Sequence, residues 1–397
     1  MAEFLSDNAY LAIKPEATAG TAVVPTVFVP LVSETIRTVP NHTPDRRFKG
    51  LSWSADDILR GNRMHEGEIV MLADPDNLGH MLNMFFNKGT TTGDATDGYT
   101  HPFLVGDGDS YTIEIKRGIY AHRLFGVRIN ELRFDFTDGQ LQIKASIKAM
   151  GQVSVAKLGV ALSGSETTLT LEDSYDLAPN RGLVVGDTIV VGTDELEITS
   201  VNSNGLVVGF GSTSLSYSIG EPIYLKPQTA SYSGLQDPFY FGNFLVGIGA
   251  TESAATTAAG AASTATPVHD LSIIFRNNSL ETPRTGRLDP VAILARSRDG
   301  EIQFKQLLES ENERADFLDR AKQAITIIAK GTHINPDFST QELLTIKLNN
   351  TKMREHNNAL TVGEYIVDDK TYDVLYDSGD AQALDIALVN RTAGTAY

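Results

Sequence analysis

The chain has 397 residues, more than one compact core usually holds, which points to two or three domains. Apolar residues make up 41% and charged residues 21%, the balance of a folded globular protein, and 33 Lys and Arg against 50 Asp and Glu leave a formal charge of -17. That acid excess argues against wrapping nucleic acid or binding an anionic membrane surface, and the absence of cysteine excludes disulfides and thiolate metal sites.

The first ten residues, MAEFLSDNAY, carry no basic segment ahead of an apolar run, so no secretory signal is expected. No stretch approaches the ~18 apolar residues that span a bilayer. Residues 1–30 read as an extended arm, because Pro15, Pro25, Pro30 and Gly20 oppose a helix. Such an arm gains order by lying on something else, and in a self-assembling protein a neighbouring copy is the natural support.

The next segments suggest a duplication. Residues 31–152 begin with a strand, Leu31 to Val39, and a polar loop from Pro40 to Glu66. The strand GEIVML follows, then a helix with Asp74 as N-cap, Pro75 at its first position, and Leu78, Leu82 and Phe85 as its apolar stripe. A strand (Ser110 to Gly118) and a hairpin complete the unit; Leu141, Ile143, Ala145 and Ile147 alternate with Gln142, Lys144, Ser146 and Lys148, as on a half-buried strand. Residues 271–397 repeat this order: LSIIF, a polar loop, GEIQFKQL, a helix opening on Ser310 to Glu313 with Ala315, Phe317 and Leu318 inward, the strand AITIIAKG, and a hairpin.

Between them, residues 153–230 hold short β runs and glycine turns that read as an inserted small β-barrel, with nine acids against three bases. Residues 231–270 read as a linker with an Ala/Thr-rich loop. The expected fold is therefore mainly β with some α: two β-sandwich or barrel units, each flanked by one helix, plus the insert.

No phosphate loop, nucleophile elbow or HExxH occurs, and none of the eight histidines pairs with another at i+4. Gly106 to Ser110 reads as a turn rather than a calcium loop, since the later acidic ligands are missing. No catalytic, cofactor-binding or metal-ligating residue is assigned. An enzyme is not expected.

The run AYLAIKPEATAGTAVVPTVFVPL (Ala9 to Leu31), with Lys14, Glu16, Thr18, Gly20, Thr21, Pro25, Phe28 and Pro30, resembles the opening of siphophage tail tube (major tail) proteins. The resemblance implies a structural subunit of the phage virion, assembled in the bacterial host cytoplasm, whose rings stack into a tube for DNA ejection. Members with two fused tube domains form trimeric pseudo-sixfold rings, a true hexamer being the alternative. It also implies a tape measure protein, a tail terminator and distal tail or baseplate proteins as partners, with dsDNA passing through the lumen without specific binding and no membrane involved. The two polar loops become stacking loops, through Arg46, Arg47, Phe48, Trp53 and Arg60 in the first and Arg284, Arg287, Arg296 and Arg298 in the second. Tyr10, Lys14, Glu16 and Phe28 become contacts of the N-terminal arm with a neighbouring subunit. A decoration or tail-completion protein, or a glycan-binding β-module, is the competing reading.

Overall fold

A computed structural model describes residues 8–47, 57–59, 61–136, 139–153, 155–172, 182–203, 205–211, 215–232, 235–307, 312–335, 340–359, 366–393 and 397. The first unit contains β1 (Tyr10–Pro15), β2 (Val27–Val29), β3 (Ser33–Glu34), β4 (Arg37–Pro40), β5 (Arg63–Leu72) and α1 (Pro75–Phe85). It continues through β6 (Gly98–Leu104), β7 (Tyr111–Arg117), β8 (Tyr120–Phe136) and β9 (Gln142–Ala149). The central segment supplies β10 (Thr188–Val191), β11 (Asp194–Val201), β12 (Val207–Phe210) and β13 (Pro222–Leu225). Then come β14 (Phe244–Gly249), α2 (Glu252–Ala259), β15 (Asp270–Arg276), β16 (Asp299–Leu307), α3 (Asn312–Asp319), β17 (Gln323–His333), β18 (Gln341–Ala359), β19 (Val367–Val374) and β20 (Leu384–Asn390).

The body is built on one antiparallel run in the order β4–β5–β9–β8–β15–β16–β19–β18. It divides into two quartets of identical connectivity. In each, the first two strands in sequence are neighbours, and a long strand and its hairpin partner return so that the partner lies inside. The long strands, β8 and β18, each serve two layers. The first part of β8 pairs with β7 and its later part with β9, while the first part of β18 pairs with β17 and β20 and its later part with β19. One hydrophobic core runs between the layers from Leu11 to Leu388 and takes side chains from both quartets.

The alternation on β9 sorts as the sequence predicts. Ile143, Ala145 and Ile147 are buried, and Gln142, Lys144, Ser146 and Lys148 lie on the opposite, partly open face. Helix α1 starts where expected: the Asp74 carboxylate accepts from the amides of Asp76 and Asn77 at 3.1 and 3.0 Å. Its apolar stripe underestimates its burial, because every residue of α1 except Asp76 is buried.

Three expectations are corrected. The strand expected over Leu31 to Val39 is split into β3 and β4. The Ala/Thr-rich segment is not a loop: Thr251 caps α2 through the Ala254 amide, and the helix packs on β14 and β17. Alanine has the highest helix propensity, and its small side chain permits close approach. Gly247 completes the fit, since a Cβ there would lie 2.1 Å from the Ala255 carbonyl oxygen of α2. In α3, Phe317 is half-buried against the core, whereas Ala315 is exposed and Leu318 is 71% exposed. A helix of about two turns is too short for apolar identity alone to select its inner face. Ser310 and Glu311 of the proposed capping box lie outside the described residues.

The central segment has its own core, including Leu158, Ile189, Val191, Leu196, Ile198, Val208, Ile223 and Leu225. Its strands run from residues 155–157 through β13, β10, β11 and β12 to residues 168–170, and a bridge between Leu158 and Leu171 joins the ends. The unit meets the body where Leu225 pairs with Ala121 of β8.

Candidate assembly surfaces

The two polar loops lie at the same end of the run, and each contains a hairpin. Thr43–Pro44 pairs with Ile58–Leu59, and Leu280–Thr282 pairs with Ala292–Leu294. Their strands expose apolar side chains: Ile58, Leu59, Leu280 and Leu294 are all at least 44% exposed. A buried polar joint ties the loops together. The Arg63 guanidinium donates to both Asp289 oxygens at 2.9 Å, His65 Nε2 lies 3.0 Å from the same carboxylate, and the Arg63 amide donates to the Leu288 carbonyl. Burial raises the Asp289 carboxyl, but the His65 ring and the Arg63 guanidinium outweigh it and hold it below the usual carboxylate range.

The loop arginines divide into two sets. Arg47 forms a bidentate pair with the buried Asp45, and Arg298 bonds to Asn277 and Asp107. Arg287 is half-buried, with its Nε unpartnered among the described residues. Arg46, Arg284 and Arg296 are exposed and make no ion pair with any described residue. Phe48, Trp53 and Arg60 lie outside the described residues.

The N-terminal segment is ordered by its own chain. β1 lies between β7 and β2, and Tyr10, Leu11, Ala12 and Ile13 are buried. Tyr10 donates to the Glu114 carboxylate at 2.6 Å, and Glu16 accepts from the Gly20 amide, the Thr112 hydroxyl and the Gly126 amide. These two side chains are therefore occupied inside the subunit. Lys14 and Phe28 are half-buried, and the Phe28 ring sits edge-on between Tyr10 and Tyr232.

Residues not singled out from sequence carry the joint between the body and the central unit. Arg123 of β8, 1% exposed, bonds to Glu114 Oε2 at 2.7 Å and to both oxygens of Asp187 at 2.6 and 2.7 Å. Glu114 also accepts from Tyr10 and from the Gln228 side chain, and Asp187 from the Val184 amide. Arg123 and Asp187 are 64 residues apart and Tyr10 and Glu114 are 104 apart, so no local pattern could have revealed the network.

The open face of the run is laced with ion pairs. Asp135 bridges Arg133 and Lys144, Arg276 reaches Glu131, Asp299 and Glu301, and Arg354 reaches Glu301 and Asp373. Neighbours of opposite sign offset each other, so much of this wall presents little uncompensated charge despite the acidity of the whole chain. Among the described residues no cluster of His, Asp and Glu is arranged to hold a metal ion, and no helix is long and apolar enough to cross a membrane.

Helix α1 contributes a titratable group to the core. His80 lies 4.8 Å from the Tyr397 ring and 3.3 Å from the Tyr111 hydroxyl, and burial, with Lys88 nearby, pushes its pKa from 6.5 down to about 3. The unfolded chain therefore binds a proton at this site between about pH 6.5 and 3 that the folded chain refuses, so stability is lost as pH falls through that window. The slope approaches 1.4 kcal/mol per pH unit. His80→Gln is expected to flatten that part of the stability–pH curve relative to the parent protein, as read by urea denaturation at each pH. Parallel curves would refute the assignment.

A family model described as "Phage tail tube protein" matches residues 6–205, half of the chain. No curated protein matches the sequence.

Proposed function

The chain belongs to the phage tail tube protein family, and from that premise we propose that its two strand quartets are two fused tube domains, so that three chains close a ring of six. Membership makes the protein a structural, non-enzymatic subunit of the virion tail that self-assembles into a tube. The observation that carries the finer reading is the pairing of β8 with β15 over Glu131 to Phe136. It joins two quartets of the same strand order into one sheet within a single polypeptide. A sheet that already contains one domain-to-domain seam needs fewer chains to close, and closure removes exposed edges.

The domain limits follow from this reading: residues 31–152 and 271–397 form the tube domains, and residues 153–230 a unit inserted between them. The hairpin loops stack ring on ring, with Arg46, Arg284 and Arg296 facing an acidic surface of the next ring. The tape measure, terminator and distal tail proteins belong to the same proposal, as does a long-tailed phage of the siphophage type. Averaged electron micrographs of tubes assembled from purified protein test it. Threefold rings with six similar lobes are expected, and six chains per ring would overturn the fused-domain reading.

A further inference from the structure

The run of eight strands has a seam in its middle and two unmatched margins. At the seam, Glu131 of β8 stands opposite Arg276 of β15, with Arg276 Nε 3.0 Å from Glu131 Oε2. At the margins, residues 355–359 of β18 pair with β19 on one side, and β3 and β4 pair with β5 on one side. Neither has a strand on its other side among the described residues.

The two margins repeat the chemistry of the seam. Each long strand has a register shift immediately before a glutamate, between Ile129 and Glu131 in β8 and between Met353 and Glu355 in β18. In β15, Phe275 lies opposite the glycine of GEI, Gly300, and Arg276 follows. In the first unit Ile36 lies beside the glycine of GEI and Arg37 follows; a Cβ on Gly67 would lie 2.4 Å from the Ile36 Cα. Arg37 and Glu355 occupy the places of Arg276 and Glu131, and their side chains are 71% and 68% exposed.

We propose that the later part of β18 in one copy adds antiparallel to the β3–β4 margin of a second copy, with Glu355 opposite Arg37, repeating the Glu131–Arg276 seam between chains. This rests on the ring reading above and gives it a register. The margin is capped in the single subunit. The Thr35 amide points inward to the Glu68 carbonyl, and the polar groups of its neighbour Ile36 are met by side chains: the Ile36 amide donates to Glu34 at 2.8 Å and its carbonyl accepts from Arg117 at 2.6 Å. Such caps blunt an edge strand before its partner arrives, and the arriving β18 displaces them.

The cysteine-free chain makes the register directly testable. Opposed residues of an antiparallel pair have Cα atoms about 4.5–5.5 Å apart, within disulfide reach. Two variants are made, Arg37→Cys with Glu355→Cys, and Thr35→Cys with Asn357→Cys, which keeps the Glu–Arg pair. Assembled under reducing conditions and then oxidised, both are expected to give intermolecular disulfides in a ladder that ends at three chains. Ser33→Cys with Glu355→Cys, about 13 Å out of register, is expected to remain uncrosslinked. Rings from the parent protein with no cross-link in either in-register variant would overturn the junction while sparing the ring reading, as would equal cross-linking of the control. Absence of rings from the parent protein would overturn both.

Discussion

Reversing Arg46, Arg284 and Arg296 to glutamate is expected to yield folded subunits that close into rings but no longer stack into tubes. These three guanidinium groups project from the two hairpin loops without an ion-pair partner among the described residues. If these loops stack as proposed, three acids per chain facing a subunit of charge -17 would turn attraction into repulsion at the ring contact. Arg47 is left unchanged because it is held by the buried Asp45, and reversing it would test local folding instead of stacking. The check is electron microscopy beside thermal melting. Isolated rings with an unchanged melting temperature are expected, and tubes of normal length from the triple variant would refute the loop assignment. Raised salt should weaken stacking of the parent protein in the same direction.

Arg123→Ala should be among the most damaging single changes in the subunit. The side chain is 1% exposed and neutralises two carboxylates, Glu114 and Asp187, that are themselves buried. Removing one member of a buried ion network leaves uncompensated charge, at a cost of about 3–5 kcal/mol. Because Glu114 belongs to the body and Asp187 to the central unit, the loss falls on their joint. Denaturant unfolding is expected to show either a large fall in midpoint or a new early transition as the central unit releases. Tyr10→Phe, which removes one hydrogen bond to Glu114, should cost about 1.5–3 kcal/mol. A change below 1 kcal/mol in the arginine variant would mean that the network does not hold the joint.

The sequence was most legible where structure is local. The cap at Asp74, the alternation on β9 and the twin GEI strands all lie within a few residues of the features they specify. It was less legible where a short segment meets a distant one. The Ala/Thr-rich stretch reads as a loop because nothing in it announces the glycines of β14 that let it dock as α2. Leu318 reads as core because the period of α3 is too brief to orient it. The N-terminal segment reads as an arm seeking a neighbour, and its proline and glycine pattern cannot show that β1 already lies between β7 and β2.

By itself, the sequence determined the absence of disulfide and thiolate chemistry, the cap and start of α1, the twin GEI strands and the residues that alternate across β9. Each of these follows from side-chain identity and from periods of a few residues. Tertiary structure alone decided that the two quartets join at β8 and β15, that Arg47 and Arg298 are consumed within the subunit while Arg46 faces outward, and that Arg123 gathers acids from two units. Those outcomes depend on which remote groups arrive within hydrogen-bonding distance, and chain separation hides that until long-range strand pairing brings them together.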